Sequence, residues 1–246
     1  MLDRPKLIAL FTDFGVTGPY NGQMHAILTA AGAEQPVIQL LVDAPQCNPQ
    51  LSAYLLAALA ADMPEGTLFI SVVDPGVGGE RRPIVIKDSS QWFVGPDNGL
   101  LSLVARRSGL GQAELIEWRP AKMSASFHGR DLFAPVAAAI CQQQYVATSP
   151  ISLDSLVGSE WPDDLARITY IDAFGNAITG VRASVISENM QLCVAGVQIP
   201  RARTFSDVAP GEAFWYANSN GLVEIAVNQG SASEHLGIGI GSLVEI

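Results

Sequence analysis

A chain of 246 residues with 48% apolar and only 15% charged side chains can build a real core, in one large domain or in a large and a small one, and carries no polar tract that argues for disorder. Its net charge of −10, from 14 basic and 24 acidic residues, makes it a poor partner for a nucleic-acid backbone and leaves it able to attract a cationic ligand. Cys47, Cys141 and Cys193 are odd in number and show no CxxC spacing, so free thiols in a reducing compartment are expected rather than a zinc ribbon or a disulfide scaffold.

Residues 1–6 hold no signal-peptide core and no apolar run is long enough to span a membrane, so a cytoplasmic protein without membrane contact is the expectation. The apolar run 7–11 reads as a buried strand closed by Thr12-Asp13-Phe14-Gly15. Residues 22–31 have a helical pattern, 37–42 read as a second strand, and 49–61 carry Leu51, Tyr54, Leu55, Ala58 and Leu59 at helical spacing. Strands follow at 67–73, 84–87 and 92–94, then helices at 98–106 and 130–143. Strands alternating with helices predict a mainly parallel α/β sheet. Residues 147–161 read as a polar linker. Beyond residue 167 the helical pattern stops, and short runs at 168–171, 191–194, 213–217, 222–227 and 242–246, separated by turn signals, predict a smaller all-β domain. The expectation is an α/β domain over residues 1–155 and a smaller all-β domain over 156–246.

Chemistry-bearing residues concentrate where core-and-turn logic does not call for them. Asp13, the segment from Asp74 through Gly76-Val77-Gly78-Gly79 to Arg81-Arg82, and Phe127-His128-Gly129-Arg130-Asp131 each lie at or near the end of a predicted strand. Charge there is costly to hold without a role, and in open α/β sheets the strand ends are where ligands bind. Each residue also has an ordinary reading: Asp74 before Pro75 as a turn residue, Arg81-Arg82 as a solvated pair, Asp131 as a helix cap. The glycines at 76–79 lack a following helix, and no GxxxxGK[ST] occurs, which argues against a nucleotide triphosphate or NAD. Asp172-Ala173-Phe174-Gly175-Asn176 reads either as a tight turn or as a carboxylate, aromatic face and amide suited to a purine or ribose.

Together these stretches resemble the S-adenosyl-L-methionine hydroxide adenosyltransferases, or SAM hydrolases, relatives of the fluorinase and chlorinase enzymes. The resemblance is carried by Thr12-Asp13-Phe14-Gly15 with Pro19-Tyr20 and Gly22, Val73-Asp74-Pro75-Gly76-Val77-Gly78 with Arg81-Arg82, Gly95-Pro96-Asp97-Asn98-Gly99, Phe127-His128-Gly129-Arg130-Asp131 with Phe133-Ala134-Pro135, and Ile171-Asp172 with Phe174-Gly175-Asn176. It implies an N-terminal α/β domain and a C-terminal β-barrel in a homotrimer, with the substrate held where one subunit's N-terminal domain meets a neighbour's C-terminal domain. The implied reaction is attack of water on ribose C5′ of S-adenosylmethionine, giving adenosine and methionine with no cofactor and no metal.

By motif match the catalytic residues are Asp74, Arg81 and His128, with Asp74 and His128 accepting hydrogen bonds from the water and Arg81 stabilising hydroxide character. The substrate-binding residues are Asp13 at the ribose diol, Phe127 and Phe174 as packing faces, Asp172 and Asn176 at the amino-acid and adenine portions, and Ser219 at the methionine carboxylate. Asp97 and Asn98 match a family motif without an assigned role. The chain carries Gly18, Asn21 and His25 where Asp, Val and Lys are common in the family, and an acid in place of Gly18 would hold the methionine ammonium. The alternatives are a non-catalytic SAM or adenosine binder, a metal-dependent hydrolase using Asp13, Asp74 and His128, and a halide-dependent adenosyltransferase, the last disfavoured by the presence of the Asp-Arg-His trio.

Overall fold

The first apolar run forms β1 (Leu7–Thr12), buried in all but its first residue. The chain continues through α1 (Tyr20–Ala30), β2 (Val37–Leu41), α2 (Pro49–Ala61), β3 (Thr67–Val72), β4 (Pro83–Lys87), β5 (Trp92–Pro96), α3 (Ser102–Arg107), β6 (Gln112–Ile116), α4 (Ala134–Cys141) and β7 (Thr148–Ile151). The computed structural model describes residues 4–107 and 111–246. It divides into two units, residues 1–56 with 63–161 and residues 57–62 with 162–246.

In the first unit seven strands form one sheet in the order β2-β1-β3-β5-β4-β6-β7. The strand β1 runs parallel to β2 and β3, and β3 parallel to β5, whereas β4, β6 and β7 pair antiparallel. The sheet is therefore mixed rather than mainly parallel. Its geometry follows from connection lengths. A parallel neighbour needs a crossover of about a dozen residues or more, and the turn from Lys87 to Trp92 is far too short, so β4 and β5 form a hairpin. Alternation along the strands sends Ile8, Leu10, Leu68, Ile70, Val72 and Val94 to one face, against Met24 and Leu28 of α1 and Phe133, Val136 and Ala137 of the α4 region. Phe69 and Phe93, offset by one residue from that face, stack with centroids 4.8 Å apart.

The polar stretch expected as a linker contains β7, which pairs with β6 as the edge of the sheet. Neither strand is apolar enough to read as one, and Pro150 within β7 is tolerated because an edge strand can lack a donor. The helix expected at 130–143 begins instead with a π-helical turn at Gly129–Phe133 before α4. Pro135 has no N–H to send to residue 131, which removes one α-type bond at that junction. Asp131 does not cap this helix: its carboxylate accepts the Ser124 N–H at 2.7 Å and pairs with Arg130.

The second unit contains β8 (Leu165–Ile171), β9 (Ala177–Arg182), β10 (Leu192–Val194), β11 (Val197–Ile199), β12 (Ala213–Ala217) and β13 (Leu222–Val227), followed by a short helix α5 (Ala232–Leu236) that the sequence pattern did not indicate. An antiparallel sheet in the order β12-β13-β9-β8 stands beside the β10-β11 ribbon. Residues 242–246 form no strand, but Leu243 bridges to Arg167 and Glu245 to Cys193, while Arg201 bridges to Trp215. Ile168, Val194, Ile199, Trp215, Val223 and Ile225 fill the core of this unit. Among the described residues no helix is long and apolar enough to cross a membrane.

Candidate active site

Three loops at the carboxyl ends of parallel strands converge in the first unit. Asp13 follows β1, Cys47 lies in the loop after β2, and Asp74 follows β3. With Phe14, Phe127 and His128 they line a cavity of about 80 Å³. Arg81, from the far end of the loop that begins with Asp74, reaches back to that carboxylate. The Arg81 Nε donates to the two Asp74 oxygens at 3.2 and 3.0 Å, and Nη2 donates to Oδ2 at 2.6 Å. The same Nη2 lies 2.7 Å from His128 Nδ1. The side chains of Arg81 and Asp74 are only 10% and 4% exposed and His128 is 6% exposed, so the trio is a buried, charge-assisted network. The guanidinium also stands 5.5 Å from the centre of the Phe133 ring.

This geometry assigns the imidazole tautomer. Arginine can only donate, so Nδ1 accepts and the neutral ring carries its proton on Nε2. Burial, and next the Arg81 charge, push the His128 pKa below its ordinary value, which keeps the ring neutral. The neutral His128 ring therefore carries an Nε2–H donor, not the acceptor that residue identity alone suggested. Asp74 is the acceptor of the trio.

Asp13 is the second carboxylate of the cavity. Its Oδ2 accepts the backbone N–H of Cys47 at 2.9 Å. Burial raises its pKa, opposed by that N–H and aided by the Asp74 charge. Cys47 has a φ of 53°, a left-handed conformation rare for its residue type, and nothing in its sequence context marks it as the residue that orients Asp13. Asn21 also holds this loop, accepting from Thr12 Oγ1 at 3.0 Å and donating to the Gly15 carbonyl at 3.1 Å, which explains a buried Asn at that position. Phe127 packs edge-on against Phe14 and Tyr20, with centroids 5.6 and 5.3 Å away. The loop carrying Asp74 and Arg81 fits closely against the segment before His128. A Cβ on Gly78, whose φ is +81°, would lie 2.4 Å from the Ala125 carbonyl oxygen. Among the described residues no three His, Cys, Asp or Glu side chains group as a metal site requires.

The remaining predicted residues, Asp172, Phe174, Asn176 and Ser219, lie together in the second unit, around a cavity of about 870 Å³. Asp172 builds the turn between β8 and β9. Its Oδ1 accepts the N–H groups of Phe174 and Asn176, both at 2.9 Å, and its Oδ2 accepts from Asn176 Nδ2 at 3.0 Å. The turn leaves Phe174 81% exposed. Gly175 has a φ of +82°, and a Cβ there would lie 2.1 Å from Ser231 Oγ. Sequence reasoning missed Glu224. It is 5% exposed and lines the same cavity, with Oε1 accepting from Tyr216 and Oε2 from Asn218 Nδ2 at 3.0 Å. The signal was available, since Glu224 is the one charged residue in the apolar run 222–227. Burial and the bond to Glu224 raise the Tyr216 pKa.

A buried Asp-Arg-His network at the carboxyl ends of parallel strands, with a second carboxylate beside it, is the arrangement of an enzyme acting on a small molecule. The chain belongs to the SAM hydroxide adenosyltransferase family: the model of the family's N-terminal domain matches residues 8–149 and that of its C-terminal domain residues 166–245. It is 33% identical to an (R)-S-adenosyl-L-methionine hydrolase of Thermus thermophilus, over 97% of this chain and 98% of that one. The enzyme of the same name from Salinispora tropica is also 33% identical, over 97% of each chain. Among solved structures, an uncharacterized conserved protein from Thermotoga maritima superposes with a TM-score of 0.82 at 29% identity, covering 97% of this chain and 98% of the other.

Proposed function

We propose that this protein hydrolyses S-adenosyl-L-methionine to adenosine and L-methionine. The observation that carries the reading is the Asp74-Arg81-His128 network, whose Asp74 and His128 line one cavity with Asp13, in a chain that matches named (R)-S-adenosyl-L-methionine hydrolases over nearly its full length. A water oxygen forms the bond to ribose C5′ while the C5′–S bond breaks and its electron pair goes to sulfur. The sulfonium leaves as a neutral thioether, so departure needs no acid. What the site must supply is an oriented water and stabilisation of its growing negative charge. Asp74 accepts a proton of that water, and the His128 Nε2–H and the Arg81 guanidinium donate toward its oxygen. General-base assistance of this kind is worth roughly 10²–10⁴-fold. The carboxylates of Asp13 and Asp74, and the net charge of −10, favour a sulfonium over a neutral nucleoside.

Asp13 is read as the acceptor for the ribose diol and Phe127 as a packing face. Asp172 fixes the turn that presents Phe174 and Asn176 to the nucleoside, and Ser219 meets the methionine carboxylate. No cofactor takes part in this reading. We read residues 1–155 as the catalytic domain and 156–246 as a barrel contributing to the adenosine site. Support for the barrel comes from the bridges of residues 243 and 245 to β8 and β10 and from that of Arg201 to β12, which continue the hydrogen bonding between sheet and ribbon. We read the protein as a cytoplasmic homotrimer with sites completed between subunits, the trimer being a reading that the resemblance to the family supports.

The test is incubation of the purified protein with S-adenosylmethionine in oxygen-18 water, with products followed by mass spectrometry. Enzyme-dependent adenosine labelled at the 5′ oxygen is the expected result. Bound but intact substrate would make the protein a binder, and a 5′-halogenated product on adding chloride or fluoride would make it a halide-dependent transferase.

A further inference from the structure

Asp74 and Arg81 sit at opposite ends of one loop, and the sheet order decides what lies beneath it. The loop joins β3 to β4, but these strands are not neighbours: β5 lies between them. The loop therefore passes over the carboxyl end of β5, where Asp97 and Asn98 follow Pro96. Those two residues grip both ends of the loop. Asn98 Nδ2 donates to the Val73 carbonyl at 2.8 Å, on the peptide that leads into Asp74. The Asp97 N–H donates to the Arg82 carbonyl at 2.8 Å, and the Asp97 Oδ2 accepts Arg82 Nε at 2.7 Å, one residue beyond Arg81. Asp97 is 4% exposed, and its Oδ1 accepts the Val157 N–H at 2.9 Å. A buried carboxylate with every bond satisfied by backbone and arginine is a rigid anchor.

We propose that Asp97 and Asn98 are positioning residues for the reaction proposed above, holding the two ends of the loop so that Asp74 and Arg81 meet each other and His128. Neither lines the cavity around His128, so both act through the loop. A displacement of about 1 Å at reacting groups can cost on the order of 10²-fold in rate. The inference rests on the proposed hydrolase reading, but one of its readouts does not depend on turnover.

Two substitutions separate positioning from simple support of the turn. Asn98→Asp keeps the acceptor that takes the Leu100 N–H at 3.2 Å but loses the donor to Val73. Asp97→Asn keeps an acceptor for Val157 while losing the charge that holds Arg82. Each is expected to lower kcat by roughly 10–10²-fold per folded molecule with KM within about threefold, and Asp97→Glu is expected to recover part of the loss. The second readout is titration of the His128 ring by NMR. His128 is faced by Arg81, Asp74, Arg119 and Asp131. As the loop slackens, Arg81 moves away and the ring titrates at higher pH than in the parent protein. Variants with parental kcat and an unmoved His128 titration would overturn the inference, as would losses that vanish once rates are normalised to folded protein. If the parent protein releases no adenosine, the hydrolase reading fails on that result, and the His128 titration alone still decides whether Asp97 and Asn98 position the loop.

Discussion

Arg81→Gln is the substitution whose consequences the structure determines most fully. It removes the cation from a pair whose side chains are 10% and 4% exposed, leaving the Asp74 carboxylate without its partner. Breaking a buried pair from one side costs about 3–5 kcal/mol, which for a protein of this size lowers Tm by roughly 6–20 °C. The catalytic loss is separate. The donor toward the attacking water disappears together with the bond that sets the His128 tautomer, and loss of one such donor costs about 10²–10³-fold in kcat, or about 2.7–4 kcal/mol of barrier. The two effects come apart in the double variant Asp74→Asn/Arg81→Gln, where the orphan charge is gone. Most of the stability is expected to return while turnover does not, so the cycle shows strong coupling in Tm and none that restores activity. Calorimetry on all four proteins and adenosine release from S-adenosylmethionine measure the two sides. A double variant as unstable as Arg81→Gln, or an Arg81→Gln enzyme within threefold of the parent rate, would refute the assignment of Arg81 as both partner of Asp74 and donor to the water.

Gly78→Ala forces a Cβ to 2.4 Å from the Ala125 carbonyl at a φ of +81°, and is expected to lower kcat at least about 10-fold by parting the Arg81 loop from the His128 segment. Gly196→Ala, at a φ of +79° with nothing within 4 Å, should cost about 1 kcal/mol in stability and leave kcat unchanged. Because His128 must be neutral to accept from Arg81 and its pKa lies below 6.5, kcat/KM should be level at neutral pH with an acid limb centred below 6.5. The stability term has the same sign: the unfolded ring binds more protons than the folded one between the folded pKa and 6.5, so this contribution is complete above 6.5 and lost as pH falls through that window. An acid limb above 6.5 that is unchanged in Asp13→Asn would contradict the assignment. Tyr216→Phe removes one donor from buried Glu224 and should cost about 1–3 kcal/mol, with weakened adenosine binding by calorimetry; unchanged stability and binding would refute a role for the Tyr216-Glu224 pair in shaping that cavity for adenosine.

Much of the candidate site was legible because it breaks the ordinary pattern. Asp13 and Asp74 are polar groups at the ends of apolar runs, His128 stands just before the predicted helix, and glycines at 15 and 78 mark backbone of unusual shape. Asp97 and Asn98 stood out as a motif but had no visible purpose, since their partners are Val73, Arg82 and Val157. Cys47 gave no signal at all, because its contribution is a backbone N–H and any residue carries one.

Local sequence determined where strands begin and end in the buried half of the sheet, because continuous apolar runs such as 7–11 and 67–73 have no other stable place. It also determined the reactive residue types and, through ordered motifs along the chain, the family. Only the tertiary structure decided that β5 lies between β3 and β4, that β7 completes the edge of a mixed sheet, and that Arg81 Nη2 serves Asp74 and His128 together. Strand pairing is a contact between residues far apart in sequence, chosen by burial and connection length. The protonation of His128 is decided by which donor that pairing brings against Nδ1, and no local pattern encodes either.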